Sequence, residues 1–169
     1  MKQLRQLRRP GAAATRDEGS TLILCLVVMT IGAFIVLPMM TYIMTVPAHL
    51  LYSSDHEWIA VDGTRARIGI TDYAQDALGD VVYVQAPTVG ATVQAGDSFS
   101  EVESTKSVSD IYAPVSGTVV SVNTALDSGP EALNSDPYGA GWICEIEMSN
   151  PADVEGLLDA AGYQALIDG

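Results

Sequence analysis

The chain has 169 residues, 48% of them hydrophobic and 17% charged, with a formal net charge of −13. That length suits one domain with a modest core plus an appendage. Five of the eight basic residues (Lys2, Arg5, Arg8, Arg9 and Arg16) precede residue 44, whereas from Met44 onward three basic residues face 19 acidic ones, a net −16; such a domain repels nucleic acid and anionic membrane and suits partners with basic patches.

Leu22 to Met44 is a run of 23 residues without a charge. It is long enough to span a bilayer, and the basic residues ahead of it would keep the N-terminus in the cytoplasm. Leu22-Ile-Leu-Cys25 does not serve a lipid anchor, because a large Leu24 stands where a small residue is needed. Two readings of residues 1–43 follow: an extension ahead of a working start at Met44, which is the one expected, or a true anchor or cleaved targeting segment.

From Glu57 the pattern becomes short strands. Trp58-Ile-Ala-Val-Asp62 and Ala66-Arg-Ile-Gly-Ile70, joined by a turn at Asp62-Gly63, predict a hairpin. A helix of about two turns should follow, capped by Thr71, with Asp72 at its positive end and Gly79 closing it. Further strands are expected at Val81–Gln85, Ala91–Gln94, Phe99–Glu103, Val108–Tyr112, Gly117–Asn123 and Trp142–Met148. Residues Leu126 to Pro137 read as a loop with a helical turn near Glu131-Ala-Leu133. One amphipathic helix is expected at the end, with Ser149 or Asn150 as cap, Pro151 first, and Val154, Leu157, Leu158 and Ala161 on one face.

Two features of the middle carry the functional reading. Phe99 to Glu103 and Val108 to Tyr112 alternate apolar and polar side chains around the small polar residues Ser104, Thr105 and Ser107, which predicts a hairpin with Lys106 at its tip. No other Lys or Arg follows residue 67, so this amine stands alone on an acidic surface, as a lysine meant for modification would. Val84-Gln-Ala-Pro-Thr-Val-Gly-Ala-Thr-Val93 and Ile111-Tyr-Ala-Pro-Val-Ser-Gly-Thr-Val-Val120 share the pattern apolar-x-Ala-Pro-x-x-Gly-x-x-Val. Each copy reads as a strand stopped by proline and turned by a glycine with positive φ, so the domain is expected to consist of two similar halves with Lys106 between them.

Glu103-Ser-Thr-Lys-Ser-Val-Ser-Asp110, followed by Ala113-Pro-Val-Ser-Gly117 and preceded by Gly96, resembles a lipoyl attachment hairpin. Asp55-His-Glu-Trp-Ile59, Gly69-Ile-Thr-Asp-Tyr-Ala-Gln-Asp-Ala-Leu-Gly-Asp80 and Asp136-Pro-Tyr-Gly-Ala-Gly-Trp142 extend the resemblance to the H protein of the glycine cleavage system, over about residues 45–166. The resemblance implies a mainly β lipoyl-type barrel-sandwich hybrid, a flattened β-barrel with small helices and a C-terminal helix, occupying residues 44–169. It implies lipoic acid in amide linkage to Lys106, and a non-catalytic carrier in the bacterial cytoplasm. The implied partners are glycine decarboxylase (a pyridoxal-phosphate enzyme), a folate-dependent aminomethyltransferase, dihydrolipoamide dehydrogenase and lipoyl-attaching enzymes; nucleic acid is not among them, and membrane only if residues 22–44 are an anchor. On a surface with so many carboxylates Glu57 and Asp110 are most simply solvated acids; by resemblance they, with Asp55 as a third, shelter the loaded arm. One departure is the flanking pair Thr105 and Ser107, where the family often has Val and Ala.

Two rivals are weighed. A lipoyl or biotinyl domain of a 2-oxo acid dehydrogenase or carboxylase lacks the Asp55-His-Glu-Trp58 start and the C-terminal helix. A membrane-tethered adaptor of a periplasmic pump would insert a long helical hairpin where Glu103 and Val108 are close. Cys25 and Cys144 read as small buried hydrophobes, and His49 and His56 lack the clustered partners of a metal site.

Overall fold

Strands written by alternation dominate the computed structural model, which describes residues 44–169. The extension 1–43, with Cys25 and all but the last residue of the apolar run, lies outside the described residues. Met44–Gly169 form one compact unit. In chain order its elements are β1 (Leu51–Tyr52), β2 (Glu57–Asp62), β3 (Arg65–Ile70), α1 (Asp72–Leu78), β4 (Val81–Gln85), β5 (Thr92–Val93), β6 (Ser98–Ser104), β7 (Val108–Tyr112), β8 (Gly117–Val122), α2 (Ala132–Ser135), β9 (Cys144–Met148) and α3 (Ala160–Ile167).

The strands form two antiparallel sheets, β1-β2-β3-β9-β8-β5 and β4-β6-β7, which remain separate and do not close into one ring. Ile59, Ile68, Val119 and Ile146 from the larger sheet meet Val84, Val102 and Ile111 from the smaller in a common core. Successive residues of a strand point to opposite faces, so Trp58, next to Ile59, enters a second cluster with Leu50, Tyr52 and Tyr163. Its indole Nε1 donates to the carbonyl of Pro137 at 2.9 Å, and α3 supplies Tyr163, stacked on Tyr52 with ring centroids 4.6 Å apart.

The internal repeat has a structural meaning. One copy runs from β4 to β5, the other from β7 to β8, so each leaves the small sheet, passes its proline and enters the large one. There the copies pair, Thr92 with Thr118 and Val93 with Gly117. Their glycines do different work, which corrects the expectation of two turns at positive φ. Gly90 turns with φ +88°. Gly117 lies in β8, and a Cβ on it would sit 2.1 Å from the carbonyl oxygen of Glu147.

The helix after β3 has its expected ends: Thr71 accepts the amide of Ala74, and Gly79 closes it with φ +79°. Two other expectations change. Asp62 still pairs with Arg65, so the first hairpin turns at Gly63-Thr64, one residue later than expected, and it is Gly63 that takes the positive φ of +62°. The single C-terminal helix is broken. Asn150 caps a 3-10 turn over Pro151–Gly156, and Leu157 is then extended at φ −85°, ψ 156°. Leu158 exchanges two 2.8 Å backbone hydrogen bonds with Tyr52, and Asp159 starts α3 by accepting the amide of Gly162 at 2.7 Å. Pairing with β1 satisfies the Leu158 backbone, and amphipathic periodicity does not outweigh it.

Candidate functional site

The tip of the β6–β7 hairpin is built by one serine. Glu103 pairs with Val108, and the Ser104 hydroxyl oxygen accepts the amides of Lys106 and Ser107, both at 3.1 Å. Small hydroxyl residues stabilise tight turns by this means. The amide of Thr105 donates to the carbonyl of Asp80 at 3.0 Å, tying the tip to the loop after α1.

Lys106 is exposed at this tip. Its side chain runs over Gly79: a Cβ there would lie 3.0 Å from Cε and 3.1 Å from Nζ. Glycine at 79 therefore both permits the positive φ that ends α1 and leaves room for the lysine. The other basic residues of 44–169 are engaged elsewhere, Arg65 with Glu147 at 3.4 Å and Arg67 with Glu145 at 2.7 Å on the larger sheet. Lys106 has no ion pair among the described residues.

Beside the hairpin lies an open groove of about 340 Å³. Tyr73 and Leu78 of α1 and Ile111 of β7 give it apolar walls, while Asp55, His56 and Asp110 give it polar ones. Two of the three acids expected to act together thus meet here. Asp110 is exposed and accepts from the Ser98 hydroxyl at 2.8 Å; Asp55 is exposed on the loop before β2.

Glu57 is placed differently. It is buried, 1% exposed, and lines a smaller depression of about 160 Å³ next to Asp55. Its carboxylate accepts the Ser53 hydroxyl and the Tyr112 amide, the latter at 3.0 Å, and so joins the end of β7 to the start of β2. Burial pushes this carboxyl above its ordinary 4.5, against the pull of those hydrogen bonds. Above pH 4.5 and up to the raised native value, the folded chain holds a proton that the unfolded chain has released, so this group makes stability fall as pH rises through that window. In Glu57→Gln that slope should vanish. Urea midpoints of both proteins from about pH 4 to pH 7 measure it, and parallel curves would mean that the carboxyl is not buried as described.

His56 is the residue sequence reasoning missed. It has φ +75°, the one positive value among described non-glycine residues. Its Nδ1 lies 2.9 Å from the hydroxyl of Tyr163, and its ring packs on Tyr73 at 4.7 Å. Its place between Asp55 and Glu57 is the sole sequence signal, and it does not reveal these contacts.

Cys144 is buried in β9, where burial pushes its thiol up to about 12. Thiolate is the reactive form, so Cys144 should resist a disulfide exchange reagent in the native protein and react on unfolding. Peptide mapping of the labelled chain reads this; rapid native labelling at Cys144 would contradict the burial.

Residues 50–169 match the family model described as glycine cleavage H-protein. The chain belongs to that family. It is 55% identical over 126 residues to the glycine cleavage system H protein of Beutenbergia cavernae, covering 75% of this chain and 99% of that one. With the H protein of Micrococcus luteus the identity is 60% over 121 residues, 70% of this chain and 94% of the other. A crystal structure of the H protein from Mycobacterium marinum aligns with a TM-score of 0.68 at 46% identity, covering 73% of this chain and 99% of that one. The fold is that of the H proteins, a lipoyl-type barrel-sandwich with its two sheets left unclosed.

Proposed function

We propose that residues 44–169 are the lipoyl carrier of a glycine cleavage system, with lipoate attached through an amide to Lys106. The observation that carries this reading is an exposed lysine, unpaired among the described residues, at the tip of a turn anchored by Ser104 and Asp80. The residues present fit the group. The amine is presented beyond the strands, and the neighbouring groove offers apolar walls for a hydrocarbon arm and two carboxylates for a cationic end. When attached, lipoate supplies the disulfide and dithiol chemistry that accepts an aminomethyl group and electrons, which no side chain of this domain provides.

The chain's own residues hold and shelter. Ser104 sets the turn, Gly79 leaves space for the lysine, and Asp55 and Asp110 face a positive charge in the groove. Glu57 acts one layer behind them by fixing β7 to β2. In this reading the chain is a carrier and not a catalyst. It takes the aminomethyl group from glycine decarboxylase to the aminomethyltransferase and delivers electrons to dihydrolipoamide dehydrogenase, after modification by lipoyl-attaching enzymes. The net −16 of the domain suits basic docking patches on those enzymes. The four-residue tip Ser104–Ser107 has no room for the helical hairpin of a pump adaptor.

Among the described residues no helix is long and apolar enough to cross a membrane. We place the carrier in the cytoplasm, working from Met44, with anchoring through residues 22–44 as the alternative. Intact mass and peptide mapping of the protein from its own organism test this. The expected mass begins at or just after Met44 and carries one lipoyl group on Lys106; a full-length chain with unmodified Lys106 rejects the proposal.

A further inference from the structure

His56 is held in a left-handed conformation that a non-glycine residue rarely adopts, and such strain persists only where surrounding structure enforces it. Here the enforcement is visible. The His56 amide donates to the carbonyl of Ser53 at 3.4 Å and its carbonyl accepts the amide of Thr71 at 2.9 Å. The ring meets Tyr163, whose hydroxyl lies 2.7 Å from Oγ1 of Thr71.

The protons of this chain of groups can be assigned. Thr71 is fully buried and its Oγ1 already accepts the amide of Ala74 at 3.2 Å. If Tyr163 donated to Thr71, the Thr71 hydroxyl proton would have no acceptor among the described residues, which is costly for a buried group. With Thr71 donating to Tyr163 and Tyr163 donating to Nδ1 of His56, both hydroxyl protons are satisfied. Burial favours the same arrangement: it pushes the Tyr163 hydroxyl up to about 12, keeping it a donor. It also lowers His56 below 6.5, against the opposing pull of Asp55, keeping the ring neutral. The single imidazole proton then resides on Nε2.

Nε2 has no hydrogen-bond partner among the described residues. No fully buried side-chain nitrogen or oxygen there is left unpartnered, and His56 is only half-buried, so Nε2 is open to solvent. His56 is among the residues that line the groove beside the Lys106 hairpin. We infer that His56 is a positioning residue of this groove, presenting a neutral Nε2–H donor to the amide carbonyl of the arm carried by Lys106. The identity of that occupant rests on the carrier reading. An arm seated here has two polar features, a cationic amine and a neutral carbonyl. Asp55 and Asp110 match the first, and the His56 donor matches the second.

The test uses the full-length chain labelled with nitrogen-15. It has two histidines, and exposed His49 serves as the internal control. Near neutral pH, long-range proton–nitrogen spectra should show His56 as the Nε2–H tautomer. The His56 Nε2 resonance should shift once Lys106 is lipoylated, or once the arm is loaded from glycine by glycine decarboxylase, while His49 stays unchanged. Tyr163→Phe, which keeps a ring on Tyr52 but loses the donor to Nδ1, should turn His56 into a tautomer mixture. An Nδ1–H tautomer in the unmodified chain overturns the inference. So does an unmoved Nε2 resonance in a chain whose mass shows full lipoylation and loading. Failure of the mass to change counts against the carrier reading alone, and the tautomer measurement still decides the donor.

Discussion

Lys106→Arg will abolish lipoate attachment and every lipoate-dependent transfer, while leaving the stability of the domain within about 0.5 kcal/mol of the parent. Chemistry and stability separate here because the lysine is exposed, its amine has no ion pair among the described residues, and its turn is made by backbone and Ser104 groups that the substitution does not touch. Arginine keeps the charge and much of the length of the side chain, yet its guanidinium stays protonated and offers no amine to acylate. Two measurements decide the matter. The mass of the variant after incubation with a lipoyl-attaching enzyme should show no addition, and glycine-dependent carbon dioxide exchange with glycine decarboxylase should be lost completely. Retained exchange in an unmodified variant would separate the activity from Lys106 and defeat the proposal. Lost exchange with a collapsed urea midpoint would show instead that the tip holds the fold together.

Gly117→Ala should be the most damaging single methyl added to this domain, at a cost of about 3 kcal/mol or more. Its Cβ would lie 2.1 Å from the Glu147 carbonyl oxygen and 2.7 Å from Cγ2 of Ile146. The carbonyl cannot retreat cheaply, because β9 is held on both sides: Glu147 pairs with Arg65 of β3 and with Thr118 of β8. For a domain of this size such a loss lowers Tm by roughly 10 °C. Gly63→Ala is the control. A Cβ there meets nothing within 4 Å, and only the positive φ of +62° is strained, so about 1–2 kcal/mol is expected. Equal thermal shifts in the two variants would mean that close approach in β8 is not what requires Gly117.

These two glycines show where sequence reasoning stops. The repeat places Gly117 in register with Gly90, and the common pattern suggests a common cause. The positive φ of Gly90 is local. The crowding at Gly117 depends on β9 lying against β8, a contact between strands separated by the loop and α2. The acids divide in the same way: as residue types Glu57 and Asp110 look alike, yet burial beneath Tyr112 removes Glu57 from the groove and leaves Asp110 on its rim.

By itself the sequence determined what rests on near neighbours. Alternation of period two wrote the strands, β7 among them to the residue; Thr71 and Gly79 marked the ends of α1; and small polar residues between two alternating runs put Lys106 on a tip. Only the tertiary structure decided the rest, because those outcomes depend on groups distant in the chain. Leu158 breaks the C-terminal helix because Tyr52 offers its backbone a partner. Likewise, the proton on His56 is set by Tyr163, 107 residues along the chain, which Thr71 orients in turn; the three meet only once the sheets and α3 are assembled.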